Sequence, residues 1–252
     1  MIIFEGVGVA LVTIFNADLT VDVEATTELA GELVEAGMKA VVVGGSTGEA
    51  YALDTAERAT LVDAIRQAIP ADVTVIAGTG APSAGQAAQL TRSAADAGAD
   101  ACLILSPPRS VDPRPYYDTV AKAAGDVPLL AYHFPAASAP GISMAHLRDL
   151  PVQGLKDSTG DPNRLLDELT TYDGDVYVGS SAILTQAGAL GATGAILALA
   201  NSQPEDCAAA FSGKAEAQLR LAPHHLSLAP FPQGIKSQVA ERWGYAAYAR
   251  MG

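Results

Sequence analysis

Eight short apolar runs, each followed by a helical period, and no nucleotide-binding glycine fingerprint after the first run predict a closed (β/α)8 barrel, the TIM-barrel class of α/β fold. The runs are residues 7–12, 40–43, 73–77, 101–105, 128–132, 152–155, 176–178 and 194–197. Helix starts between them carry side-chain acceptors for the backbone N–H groups that a first turn leaves unpaired. Asp54 with Glu57, Ser83 with Gln86, and Ser202 with Glu205 have the spacing of an N-cap and its third helical residue. Asp112 before Pro113 and Asp161 before Pro162 put an acceptor at the cap and proline in the first turn, where its missing N–H costs nothing. Leu61, Ile65 and Ile69, with Val62 beside them, form the apolar stripe of the second helix. Gly37 and Gly98 each stop a helix just before a strand. Residues 1–211 therefore read as the barrel and 212–252 as a short C-terminal helical extension. In that extension Trp243, Tyr245 and Tyr248 supply packing surface for the barrel or for a partner chain.

Fifteen Lys and Arg against 28 Asp and Glu give a formal charge of -13, which repels a phosphate backbone and argues against a nucleic-acid partner. Cys102 and Cys207 have neither metal-ligand spacing nor a disulfide framework, so they read as buried free thiols of a cytoplasmic protein with no metal site. The apolar N-terminus carries Glu5 and no basic region, which makes it a first strand and not a signal peptide. Residues 182–200 are interrupted by Thr185, Gln186, Thr193 and glycines, so no membrane segment is expected.

A barrel of this class does its chemistry at the C-terminal ends of the strands. Of Lys39, Lys122, Lys156, Lys214 and Lys236, only Lys156 directly continues a barrel run. Desolvation in a crowded mouth lowers an amine's pKa and frees it to attack a carbonyl and form a Schiff base. The competing reading pairs Lys156 with Asp157 or another carboxylate as a structural ion pair. Tyr132, one strand earlier, decides for chemistry, because adjacent strand ends share a site and a phenol there can shuttle the protons of imine formation. Ser46 and Thr47, flanked by glycines after the second run, offer backbone N–H groups to a carboxylate and a hydroxyl to Tyr132.

Gly-Ser-Thr-Gly-Glu at 45–49, Ala-Gly-Thr-Gly-Ala at 77–81, Tyr-His-Phe-Pro at 132–135 and Gly-Leu-Lys-Asp-Ser at 154–158 occur in a recognisable order. With them the chain resembles the dihydrodipicolinate synthase and N-acetylneuraminate lyase family of pyruvate-dependent class I aldolases. The likeness runs from Gly6 to Ile196 and, more loosely, to residues 232–236. It implies Lys156 as the Schiff-base lysine, Tyr132 as general acid/base and Ser46 as the hydroxyl linking Tyr132 to solvent. Thr47 would hold the pyruvate carboxylate, with Gly45 and Ile196 also in the substrate-binding set. No metal or organic cofactor is implied, since the imine on Lys156 is itself the electron sink. The expected partners are pyruvate, an aldehyde and further copies of the chain in a homo-oligomer.

Two departures bear on the substrate. Pro107-Pro108-Arg109 stands where the family's synthases carry a Pro-Tyr-Tyr string, and Pro135-Ala136-Ala137-Ser138 stands where they carry a substrate-binding arginine. Both count against the synthase, with Arg109 offered as a replacement contact for an acidic or hydroxylated substrate. The pattern around Tyr132 is similar to the branch that cleaves 2-keto-3-deoxy sugar acids, and that activity ranks first. The alternatives are 4-hydroxy-tetrahydrodipicolinate synthase, a keto-acid-binding homologue without turnover, and a phosphate-binding barrel with a cup formed by Gly179-Ser180-Ser181 and residues 191–194.

Overall fold

The computed structural model describes residues 2–251 and closes all eight strands into one parallel barrel in sequence order. The strands are β1 Gly6–Ala10, β2 Ala40–Val43, β3 Thr74–Gly78, β4 Ala101–Leu105, β5 Leu129–His133, β6 Gly154–Asp157, β7 Asp175–Val178 and β8 Gly194–Leu197. Helices α1 Val23–Glu35, α2 Thr55–Ala68, α3 Ala84–Asp96, α4 Arg114–Ala124, α5 Met144–Leu147, α6 Pro162–Thr171, α7 Leu184–Ala189 and α8 Pro204–Phe211 follow their strands in turn. Beyond the barrel lie α9 Ala215–Leu226 and α10 Gln233–Trp243. Among the described residues no helix is long and apolar enough to cross a membrane.

Two apolar layers follow from the alternation of strand side chains between faces. Ala10, Val42, Ile76, Leu103, Leu130 and Ile196 point inward and fill the barrel. Their neighbours Val9, Val41, Val75, Ile104, Ala131 and Leu197 point outward to the helix shell. The lower end is plugged by Phe4 stacked on Tyr177 at 4.5 Å, where the Tyr177 hydroxyl donates to the Phe4 carbonyl at 2.8 Å. Tyr245 and Trp243 pack against the outer layer, whereas Tyr248 is about half exposed and anchors through its backbone instead.

The helix signals hold with two corrections. Asp54 and Glu57 form a complete capping box, Ser83 caps α3, and Asp161 accepts from Asn163 N at 2.8 Å ahead of Pro162. Ser202 caps nothing: α8 starts at Pro204, and the Ser202 hydroxyl turns to Gln238 of α10 at 2.8 Å, a tertiary bond that outcompetes the local one. At α4 the register moves by one, with Pro113 at the cap and Asp112 accepting from Arg114 N while it pairs with the Arg114 guanidinium. Gly37 and Gly98 close α1 and α3 at φ +102° and +87°, where a Cβ would be strained.

The C-terminal segment returns to the barrel mouth. Glu49, fully buried and left-handed at φ 58°, pairs with the buried Lys236 of α10. Its other oxygen accepts the backbone N–H groups of Arg250 and Met251 at 2.8 and 2.7 Å. Lys236 also donates to the Tyr248 carbonyl at 2.6 Å and lies 4.2 Å over the Phe15 ring. Removing one partner of such a pair strands the other without a counter-charge, which typically costs about 3–5 kcal/mol. Lys236→Ala is expected to lower unfolding stability by that order, read as a shifted denaturant midpoint. Glu49→Gln with Lys236→Met should recover part of the loss, because neither charge is then orphaned. A Lys236→Ala protein as stable as wild type would show that water reaches the pair.

Candidate active site

Tyr132 on β5 is in register with Lys156 on β6, and Lys156 with Tyr177 on β7. Residues in register on neighbouring strands face the same side. Both Tyr132 and Lys156 therefore point into the barrel, each only 5% exposed. The Lys156 ammonium sits 4.3 Å over the Tyr132 ring. Lys156 lies inside β6 and not just past it, as the hydropathy pattern had it, because the strand's last two residues are charged and escape an apolar-run search.

No carboxylate compensates this amine among the described residues: burial alone moves its pKa from the usual 10.5 down to about 7. The structural pairing with Asp157 is thereby removed. Asp157 faces the opposite side of β6, where Arg164 approaches to 3.4 Å and Thr159 donates to its carboxylate. Burial pushes the Tyr132 phenol up to about 12, against opposing hydrogen bonds from Ser158 and Ser46, so it holds its proton at neutral pH. The Ser158 hydroxyl donates to the Tyr132 oxygen at 3.2 Å. Gly179 leaves room for them, since a Cβ there would stand 2.0 Å from Ser158 Oγ and 3.0 Å from Lys156 Cε and would make those side chains shift.

Ser46, Thr47, Tyr132 and Lys156 line one cavity of about 220 Å³ at the mouth of the barrel. Gly45 falls in a smaller adjoining cleft that shares Ser46 and Tyr132 with it. Two of the expected residues, Ile196 and Arg109, do not line this cavity. Ile196 is wholly buried within the barrel, below the mouth, and the cavity wall is made by Leu197, Ala198 and Leu199. Arg109 is solvent-exposed with φ 62°, its N–H bonded to the Ala139 carbonyl at 2.7 Å, and this turn carries its side chain outside the cavity. The phosphate cup does not form either, for residues 191–194 lead into the start of β8, at the opposite end of the barrel from Gly179-Ser180-Ser181, which follow β7.

Sequence reasoning missed part of the wall. Ser158 was legible as the residue two beyond Lys156, which returns to the same face. His225, Leu228 and Phe231 come from the C-terminal segment, which no search of strand ends reaches. Among the described residues no group of three or more His, Cys, Asp or Glu is placed to hold a metal ion.

A closed barrel with a buried amine and a buried phenol at its open mouth is the framework of a barrel enzyme. The chain belongs to the dihydrodipicolinate synthetase family, whose model matches residues 3–240. It is thus placed among lyases. It is 34% identical over 224 residues, 83% of this chain and 76% of the other, to a 4-hydroxy-tetrahydrodipicolinate synthase of Thioalkalivibrio sulfidiphilus. Identity to the synthase of Haloarcula marismortui is 35% over 228 residues, 84% of this chain and 74% of that one. Among solved structures, dihydrodipicolinate synthase from Aquifex aeolicus superposes with a TM-score of 0.88 at 27% identity, covering 98% of this chain and 91% of that one.

The lowered amine pKa has a consequence for stability. Below about pH 7 the folded chain carries a buried charge at Lys156 that costs stability. Between about pH 7 and 10.5 the unfolded chain binds the extra proton, so this cost disappears as pH rises. Lys156→Met, close in volume and uncharged, is expected to be more stable than wild type at and below pH 7, with the gain vanishing toward pH 10.5. Denaturant titrations of both proteins across that range check it, and a gain independent of pH would mean that the amine is solvated.

Proposed function

We propose that the chain is a Schiff-base lyase that forms or cleaves a carbon-carbon bond to pyruvate. The observation that carries this reading is the uncompensated, buried Lys156 amine beside the protonated Tyr132 phenol. The neutral amine adds to the pyruvate carbonyl and water leaves, giving an imine. The imine withdraws electrons from the methyl carbon, a proton departs, and the resulting enamine carbon attacks the aldehyde carbonyl. Tyr132 gives and takes the protons of these steps, with the Ser46 and Ser158 hydroxyls as its partners. Thr47 and the N–H groups of its turn hold the pyruvate carboxylate. No cofactor takes part, because the imine supplies the electrophile.

For the aldehyde, the names of the relatives favour 4-hydroxy-tetrahydrodipicolinate synthase, the alternative in the sequence reading, over sugar-acid cleavage. That reading now stands first. Cleavage of a 2-keto-3-deoxy sugar acid is kept as a second reading on one observation: among the described residues the cavity is lined by the hydroxyl residues Ser46, Thr47, Ser158, Ser180 and Ser181 and by no arginine. Comparing kcat/KM for aspartate semialdehyde plus pyruvate with that for sugar-acid cleavage decides between them.

Borohydride reduction in the presence of pyruvate is expected to add a stable mass to wild type and nothing to Lys156→Ala, and trapping that persists in the variant would remove Lys156 from the mechanism. Tyr132→Phe is expected to lower kcat by about 10²- to 10⁴-fold, the usual contribution of a general acid/base, with a smaller change in KM for pyruvate. An unchanged kcat would assign the phenol to packing.

A further inference from the structure

Part of the cavity wall is built by a helix outside the strand-end loops. His225 of α9 reaches it with Nδ1 2.8 Å from the Ser181 hydroxyl. Gln218, seven residues and about two turns earlier on the same helix face, donates to the Ser181 carbonyl at 2.8 Å and accepts from Thr185 N at 3.2 Å. These contacts stitch α9 to the turn after β7. Ser181 is itself buried, so the imidazole has a fixed partner on one nitrogen, while no protein group among the described residues bonds Nε2.

Charge decides what that nitrogen meets. Although the chain is strongly acidic, no carboxylate lines this cavity among the described residues. Among the described residues, the lining side chains with a basic nitrogen are Lys156 and His225. Lys156 is consumed when it becomes an imine, and Arg109 lies outside. A second acidic group on the substrate therefore has His225 as its counter-group, with the Ser180 and Ser181 hydroxyls beside it. Leu228 and Phe231 line the same cavity, and an apolar wall strengthens a charged contact by keeping water away.

We propose that His225, held by Ser181, is the residue that receives the carboxylate of the acceptor aldehyde and so sets this chain's preference among acceptors. The proposal rests on the imine reading of Lys156, and pyruvate trapping on wild type tests that reading separately. The direct test uses succinate semialdehyde and butanal, which differ in the carboxylate alone, as acceptors with pyruvate. Wild type is expected to prefer succinate semialdehyde. His225→Leu should lower kcat/KM for it by about 10- to 100-fold, the size of a lost hydrogen bond to a charged group, and for butanal by less than about threefold. His225→Gln, which keeps a neutral donor, should fall between. Equal use of the two aldehydes by wild type, consumption of neither by a protein that traps pyruvate, or an equal loss on both in His225→Leu overturns the proposal.

Discussion

Everything at the mouth depends on the pairing register of β5 and β6. A slip of one residue would exchange Tyr132 and Lys156 for His133 and Asp157 on the inner face. As the strands stand, the alternate positions build a separate charged network between the barrel and α6. Arg164 contacts Glu168 at 2.6 Å and Asp157 at 3.4 Å. There burial, with Asp157 nearby, pushes the Glu168 carboxyl up to about 8, and burial with the Arg164 charge holds His133 down to about 4. The same two strands thus keep carboxylates outside and leave the inner amine without one. With no carboxylate beside it among the described residues, burial acts on the Lys156 amine unopposed and its pKa falls.

The barrel was legible because its signals are local. Apolar runs gave the bounds of β2, β4 and β8 as they stand, and the capping pairs at Asp54 and Ser83 rest on spacing within one turn. Where the sequence misleads, a distant partner is responsible. Leu11 and Val12 extend the first apolar run, yet β1 ends at Ala10, because the Val12 N–H goes to the Asn201 side chain at 3.0 Å instead of a neighbouring strand. Ser202 leaves its cap for Gln238, and β6 continues through two charged residues that only the finished barrel explains. Arg109 is the corresponding failure at the site: position after a strand identifies the loop, but the turn's φ and the Ala139 bond set the direction of the side chain.

The C-terminal segment fixes the mouth twice. At one side the buried Glu49–Lys236 pair and the Arg250 and Met251 N–H groups hold the residue two beyond Thr47. Arg250 adds a bidentate contact to Glu57, the same side chain that closes the capping box of α2. At the other side α9 fixes the turn after β7 through Gln218 and His225. Two loops that line the same cavity as Lys156 are therefore braced by one stretch of chain. Because both braces use backbone groups or residues far away in sequence, neither has a motif that could announce it.

Global charge and site charge act over different distances, which reconciles an acidic protein with the anionic substrate proposed for it. At physiological ionic strength the Debye length is about 8 Å, so exposed carboxylates elsewhere are largely screened from the mouth. Inside it, a buried amine, an imidazole and turn N–H groups act at hydrogen-bond range in a poorly screened space, with no carboxylate among the described residues on its walls. The chain's negative charge therefore tells against polyanions that must lie along the surface, while a small keto acid is governed by the few groups that it touches.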